Sequence, residues 1–357
     1  MPFFGLLPKL RRFFPVIAFF GGFLWDALTL GERVRPLDFW RLGLFLAGAA
    51  GLVVWLAWRD YRATPEPWSD GSLRGRLQRL AWAAPYLVLQ FFFGGIFSAL
   101  FILYVKSSGH FAAWLVAAAL GGLLVANEFW GRRYGERFTL TWGLFALNAI
   151  LLCNFALPHA VGSLDPLWFY ASTALGVLLA HALHRLAPGS PGKIMPAWGV
   201  GALLLALWNL GMIAPVPLVK RDLAVGQQFA QRDGVYLLQI EPAPAWQFWR
   251  EASGVAHVPE GGRLYGVSAV YAPAGVAARL EHRWESRGAD GVWRPGSRIR
   301  FVATGGREQG FRGYSYVVNP APGDWRLTVA TQDGRTISTF DVRVERGEPQ
   351  DPASRSF

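Results

Sequence analysis

Cysteine is almost absent: Cys153 is the only one in 357 residues. A single thiol excludes an intramolecular disulfide framework, a thiolate metal cluster and a CxxC redox pair. Charge is scarce too, at 17% of residues, where ordinary soluble domains carry about 25%. Lysine is scarcer still, so the net charge of +11 rests almost wholly on arginine. Catalytic signatures are missing from the C-terminal part, which holds no HExxH, no GxSxG and no paired-carboxylate pattern. Its glycine spacing does not follow the strand-to-helix order of a dinucleotide loop or P-loop. Nothing in the sequence asks for a cofactor or a metal. Cys153 precedes His159 by six residues, but the apolar run around it predicts a buried, inert thiol rather than a nucleophile.

What is abundant is apolar surface. The chain is 52% hydrophobic and 15% aromatic, with 17 Trp and 26 Phe, which excludes disorder. Residues 1–214 consist of long apolar runs; from Pro215 onward the text turns to short alternating stretches broken by Gly, Pro and Asp. The first part carries 17 Lys and Arg against 9 Asp and Glu, the second 18 against 15. The cationic excess therefore belongs to the short loops of the apolar part, which fits a lipid bilayer better than nucleic acid.

Seven runs approach the roughly 20 residues of helix that cross a hydrocarbon core: 13–30, 40–58, 80–104, 111–130, 138–157, 167–186 and 197–214. With the N-terminus in the cytoplasm, 13 basic residues fall in inner segments and 4 in outer loops, the asymmetry expected of an inner-membrane protein. An odd number of spans puts the C-terminal domain in the periplasm. The predicted layout is a transmembrane α-helical bundle over 1–214, a linker over 215–232, a β-domain over 233–347 and a flexible tail over 348–357.

Small residues recur every four positions at Gly43, Ala47 and Gly51, and at Ala113, Ala117 and Gly121, a pattern that predicts helix–helix seams. Polar groups within or beside the spans are costly. Asp26, Tyr104, Lys106, Asn127, Glu128 and Asn154 are the candidates for a polar path through the bundle. Their structural reading is snorkelling to the interface, local ion pairs and interhelical hydrogen bonds.

Seven strand-like stretches follow between Val235 and Glu345, separated by turn signals, with Asp333-Gly334 the strongest hairpin mark. Their number and spacing predict an all-β, immunoglobulin-like sandwich. One constellation in it combines arginine, aromatic rings and glycine: His282, Trp284, Arg307, Arg312, Tyr314, Trp325 and Arg326. Such a set suits a planar or anionic ligand. Its structural reading is that the tryptophans are core, the arginines pair with nearby carboxylates and the glycines form a bulge.

These residues also carry a resemblance. Gly22–Leu30, Tyr104–Ser108 followed by Asn127-Glu128, and Ile213–Leu218 resemble the corresponding stretches of a group of bacterial polytopic membrane proteins. His282-Arg-Trp284, Gly305-Gly-Arg307, Gly310-Phe-Arg312, Tyr314 and Gly323-Asp-Trp-Arg326 are similar to the domain of unknown function 2914. Ala214 departs from that pattern, which has a second proline at the junction. The resemblance implies an inner-membrane protein with a C-terminal β-domain and implies no reaction. The expected function is that of a non-enzymatic envelope protein whose partners are the bilayer and an envelope glycan, lipid or protein. The alternative is a transporter or channel.

Overall fold

A computed structural model describes residues 36–62, 73–107, 111–130 and 138–357, except 245, 248–250, 273–275 and 307–308. A helical N-terminal part is followed by an all-β C-terminal region. They form two compact units, the second taking in Pro158–Pro166 as well as Gly211–Phe357.

The described helices are α1 (Pro36–Arg62), α2 (Leu73–Ser107), α3 (Phe111–Trp130), α4 (Phe138–Val161), α5 (Leu167–Leu186) and α6 (Met195–Asn209). Among the described residues four stretches are long and apolar enough to cross a membrane: Asp38–Arg62, Ala84–Val105, Phe138–Val161 and Leu167–Leu186. Seven spans are therefore not supported. The expected span at 13–30 lies outside the described residues. In α3 the described apolar stretch is the shorter Trp114–Leu123. The span expected at 197–214 ends early, because Gly211 takes a left-handed φ of 69° and Pro215 follows. The 15 residues of α6 reach only about 22 Å, short of a hydrocarbon core of about 30 Å.

Glycine and aromatic residues set the helix contacts. A Cβ on Gly176 of α5 would lie 2.5 Å from Ile150 Cγ1 and 2.7 Å from its backbone nitrogen, so α4 and α5 cross with backbones touching. Gly201 of α6 receives Val177 in the same way, at 2.6 Å. Phe169 stacks on Trp208 at 3.9 Å and 4°. The small-residue row on α1 is not the seam expected: Gly43 and Gly51 have nothing within 4 Å, while Gly48 receives the Phe92 ring at 2.9 Å. On α3 the expected seam is present, with Ala117 buried and Gly121 under the Phe101 ring. Charge at the end of α1 is neutralised locally: Arg59 lies 3.8 Å over the Trp82 ring and Tyr86 donates to Asp60 at 2.6 Å.

Among the described residues eleven strands build the β-region: β1 (Val219–Gly226), β2 (Gln228–Arg232), β3 (Val235–Ile240), β4 (Val255–Val258), β5 (Arg263–Tyr271), β6 (Ala277–Arg287), β7 (Trp293–Thr304), β8 (Phe311–Val318), β9 (Gly323–Thr331), β10 (Thr336–Arg346) and β11 (Ala353–Ser356). They form three sheets, ordered β1-β5-β8, β4-β10-β9-β6-β7 and β11-β3-β2. All pairs are antiparallel except β10 with β4. The first two sheets enclose the main core of Leu223, Leu280, Trp284, Leu327, Val329 and Val344, making a β-sandwich. The other face of β1 and β5 carries a second core, with Leu238, Ile240, Val267 and Phe357. Covered on both faces, β5 reads as a nearly continuous buried run rather than an alternating one.

Residues assigned above to a linker thus form β1 and β2, and the expected tail contributes β11 and the buried Phe357. Charge hid them: Lys220-Arg-Asp222 opens β1, and β2 is short and polar. A kink at Gly226 carries the chain from one sheet to the next, where a Cβ would meet the Gln239 carbonyl oxygen at 2.0 Å. Asp233 and Gly234 then turn β2 into β3 with φ of 48° and 77°, the conformation of a two-residue hairpin.

Candidate functional site: an arginine–aromatic cavity of the β-region

The sequence-predicted constellation divides by sheet face. His282 and Trp284 point inward from β6 into the core, at 0% and 1% exposure. His282 Nε2 meets Ser268 Oγ at 2.7 Å and Nδ1 meets Ser315 Oγ at 2.8 Å, while Trp284 Nε1 donates to the same Ser315 oxygen at 2.9 Å. This is a polar bridge between two sheets. Burial pushes the His282 pKa down to about 3, so the ring is neutral at pH 7, and its full burial leaves no path for a substrate. Ser and His side by side here are structural.

Arg312 and Tyr314 lie on β8, away from these groups. Arg312 Nη1 donates to the Gly234 carbonyl at 2.6 Å and Nη2 to Gln309 at 2.5 Å, clamping the β2–β3 turn. Tyr314 stacks on Phe229 at 4.4 Å. Arg307 lies outside the described residues. Glycines at the start of β8 allow close approach: a Cβ on Gly310, just before it, would lie 3.0 Å from the Val270 carbonyl carbon, and one on Gly313, within it, would enter the Phe301 ring.

Trp325 and Arg326 are the two that meet at a cavity. Trp325 is mostly core, with Nε1 donating to the Ala321 carbonyl at 2.8 Å, and its edge lines the wall. The cavity, of about 920 Å³, is also lined by Arg287, Trp293, Asp324, Asp341, Arg343 and Arg355. Register builds its main wall. On β9 and β10, Arg326 opposes Asp341 and Asp324 opposes Arg343. Arg326 makes a two-pronged bond to Asp341, at 2.6 and 3.0 Å, and its guanidinium lies 4.2 Å over the Trp293 ring. The bond to Asp341 raises the Arg326 pKa further. Arg343 donates to Asp324 at 3.0 Å. On the facing wall Arg355 bridges Asp222 at 2.8 Å and Glu251 at 2.7 Å. Burial raises the Asp222 carboxyl, against the pull of Arg355.

Sequence reasoning missed Asp341, Arg343 and Trp293, although a signal existed. Asp324-Trp-Arg326 and Asp341-Val-Arg343 are two copies of one Asp-x-Arg triplet. They lie at equal distances on either side of the Asp333-Gly334 bond; the turn closes Thr331 on Arg335, and a bulge between Thr336 and Ser338 sets the register that pairs each arginine with the other triplet's aspartate. Arg355 and Asp222 carried no such mark, since their partnership joins opposite ends of the β-region. The wall offers planar guanidinium donors, carboxylate acceptors and an aromatic face, a donor set for a polar ligand bearing carboxylate, phosphate or hydroxyl groups. Its volume is that of a small-molecule site.

Of the intramembrane candidates, two have described side chains. Tyr104 is buried at the end of α2, in the β unit, and Asn154 is buried in α4, in the helical unit. Asp26 and the side chains of Lys106, Asn127 and Glu128 lie outside the described residues. Among the described residues no group of three or more His, Cys, Asp or Glu is arranged to hold a metal ion.

Residues 277–344, from β6 to β10, match the family described as Protein of unknown function (DUF2914). A comparison with curated protein sequences gives no match. Among solved structures, an immunoglobulin-like protein from Pseudomonas aeruginosa aligns over 34% of this chain and 97% of its own, at 11% identity and a TM-score of 0.20. A β-glucosidase from Listeria innocua aligns over 36% of this chain and 16% of its own, at 10% identity and a TM-score of 0.20. The alkylpurine DNA glycosylase AlkC of Pseudomonas fluorescens aligns over 86% of this chain and 98% of its own, at 12% identity and a TM-score of 0.22. At these values none of the three bears on activity.

Proposed function

We propose that the chain is a non-enzymatic inner-membrane protein that presents an immunoglobulin-like β-domain to the periplasm and binds a polar, anionic envelope ligand in the arginine–aromatic cavity. The apolar helices support the anchoring; the periplasmic side rests on the distribution of basic residues in the seven-span layout read from the sequence, not on the four stretches described. The observation that carries the binding is the paired Asp-x-Arg wall. Arg326 commits Nε and Nη2 to Asp341, and its Nη1 has no hydrogen-bond partner among the described residues. The ion pairs hold both guanidinium planes in place before a ligand arrives, which lowers the entropy lost on binding.

Calorimetric titration of the full, detergent-solubilised chain with soluble peptidoglycan fragments tests this, since those carry carboxylates and sugar hydroxyls together. Saturable binding is expected, weakened at least tenfold by Arg326→Ala or Arg343→Ala, as loss of a charge-assisted hydrogen bond requires. Binding untouched by both substitutions, or no binding, contradicts the assignment.

One observation favours the transporter alternative. Asn154 is 2% exposed, and neither amide atom has a hydrogen-bond partner among the described residues. An amide held in that state is costly. Asn154→Leu separates the readings: thermal stability in detergent rises if the amide has no task, whereas a transport role predicts lost solute flux in proteoliposomes.

A further inference from the structure

Arginine outnumbers carboxylate at several places on the five-stranded sheet, and most on the outer face of β6 and β7, away from the cavity wall. Arg326, Arg335 and Arg294 each hold a carboxylate of their own, at 2.6 to 3.0 Å. Glu281 on β6 is instead shared by three arginines. It is 1% exposed, and Arg283 bonds one of its oxygens. Arg298 and Arg300, on β7, hold their Nε atoms 3.9 and 3.7 Å from the other oxygen. Those distances are attraction without hydrogen bonding. The two side chains are 54% and 66% exposed, so their N–H donors face water.

Three cations around one anion leave a local charge of +2. Arg279 extends it, on the same face of β6 and exposed, opposite Val302, which is 51% exposed. β7 is an edge strand with three arginines and no acidic residue. Blocking edge-to-edge pairing explains charge there, but charge of either sign does that. It does not explain why all of it is arginine, nor why a neighbouring carboxylate is buried beneath it.

We propose that the outer face of β6 and β7 is a docking surface for phosphate-bearing headgroups of an anionic lipid bilayer. From Arg279 to Arg283 the row runs about 13 Å along the strand, longer than a single phosphate and suited to an array of them. Guanidinium forks match phosphate oxygens. Buried Glu281 orients the forks and leaves the excess positive, while Val302 gives an apolar contact beside them. The proposal rests on the membrane-anchored reading only for its source of ligand, since tethering raises the local headgroup concentration. It uses none of the cavity residues.

The full chain, inserted in phosphatidylcholine nanodiscs, is mixed with sedimentable vesicles of phosphatidylglycerol or of phosphatidylcholine, and the pelleted fraction is measured. Entry into the discs tests anchoring separately. Binding is expected to phosphatidylglycerol vesicles and not to phosphatidylcholine, and to weaken as salt rises. The double variant R298A/R300A should bind about 30-fold more weakly, from roughly 1 kcal/mol per basic residue near an anionic surface. R298K/R300K should recover part of the loss, since lysine keeps the charge and lacks the fork, and R232A, at an exposed arginine of β2, should bind as the unaltered chain does. Equal binding by R298A/R300A, or a lysine variant as weak as the alanine one, overturns the proposal. Capture of inorganic pyrophosphate as tightly as vesicles also overturns it, by assigning the surface to soluble phosphate.

Discussion

Ser315 serves two buried donors or acceptors at once. Its oxygen accepts from Trp284 and bonds the His282 ring, and all three side chains are at most 3% exposed. Ser315→Ala strands a ring nitrogen and an indole N–H in the core. At about 1 to 3 kcal/mol for each stranded group, the loss is on the order of 3 kcal/mol, to be read in thermal unfolding. His282 adds a pH dependence. Its folded pKa is depressed to about 3 from an unfolded value near 6.5. Between those values the unfolded chain binds the extra proton, so stability falls as pH drops, by roughly 1.4 kcal/mol per unit. Above pH 6.5 the effect is absent. Acid titration followed by β-sheet circular dichroism should show that slope, and His282→Gln should flatten it by one proton. An unchanged slope would assign acid sensitivity to other groups. The aromatic and histidine identities of this trio are plain in the sequence; that they face the core is not, because alternation on β6 fails where Glu281 is buried as well.

At the scale of elements, glycines mark the close approaches. Gly226→Ala places a methyl 2.0 Å from the Gln239 carbonyl oxygen, and the kink that joins two sheets must open. A destabilisation of about 3 kcal/mol is expected, with faster hydrogen exchange in β2 and β3. Gly176→Val forces α4 from α5, lowering the melting temperature in detergent, whereas Gly43→Ala on the open face of α1 should leave it unchanged. Strand legibility followed burial. β5, β8 and the β9–β10 hairpin announced themselves through apolar runs and a turn dipeptide. β1, β2 and β11 did not, because their charged or polar residues pair across distant sequence, as Arg355 does with Asp222. Asp233-Gly234 is as good a hairpin mark as Asp333-Gly334, but only strands on both sides make it one. The small-residue row on α1 misled for a related reason: spacing by four identifies a face, and only packing shows which face meets a neighbour.

At the scale of the molecule, the division at the end of the apolar runs was legible from composition alone, and the number of spans was not. Hydrophobicity alone does not fix where a helix ends. The glycine and prolines after Asn209 do, and they shorten α6 below a membrane thickness. The cavity lay partly in view, through Trp325 and Arg326. The rest of its wall depends on β-register, which a one-residue slip would reverse. The paired triplets also predict that exchanging charges in concert, Arg326→Asp with Asp341→Arg, preserves folding while ligand affinity falls, because the aromatic face of Trp293 loses its guanidinium. Thermal unfolding and titration of the double variant check both halves.

Anchoring and orientation underlie the ligand class assigned to both surfaces. A reporter active only outside the cytoplasm, fused after Phe357 with a cytoplasm-only reporter as control, tests them directly. The account predicts activity outside alone. Activity inside alone would contradict it and would place both arginine surfaces before cytoplasmic ligands.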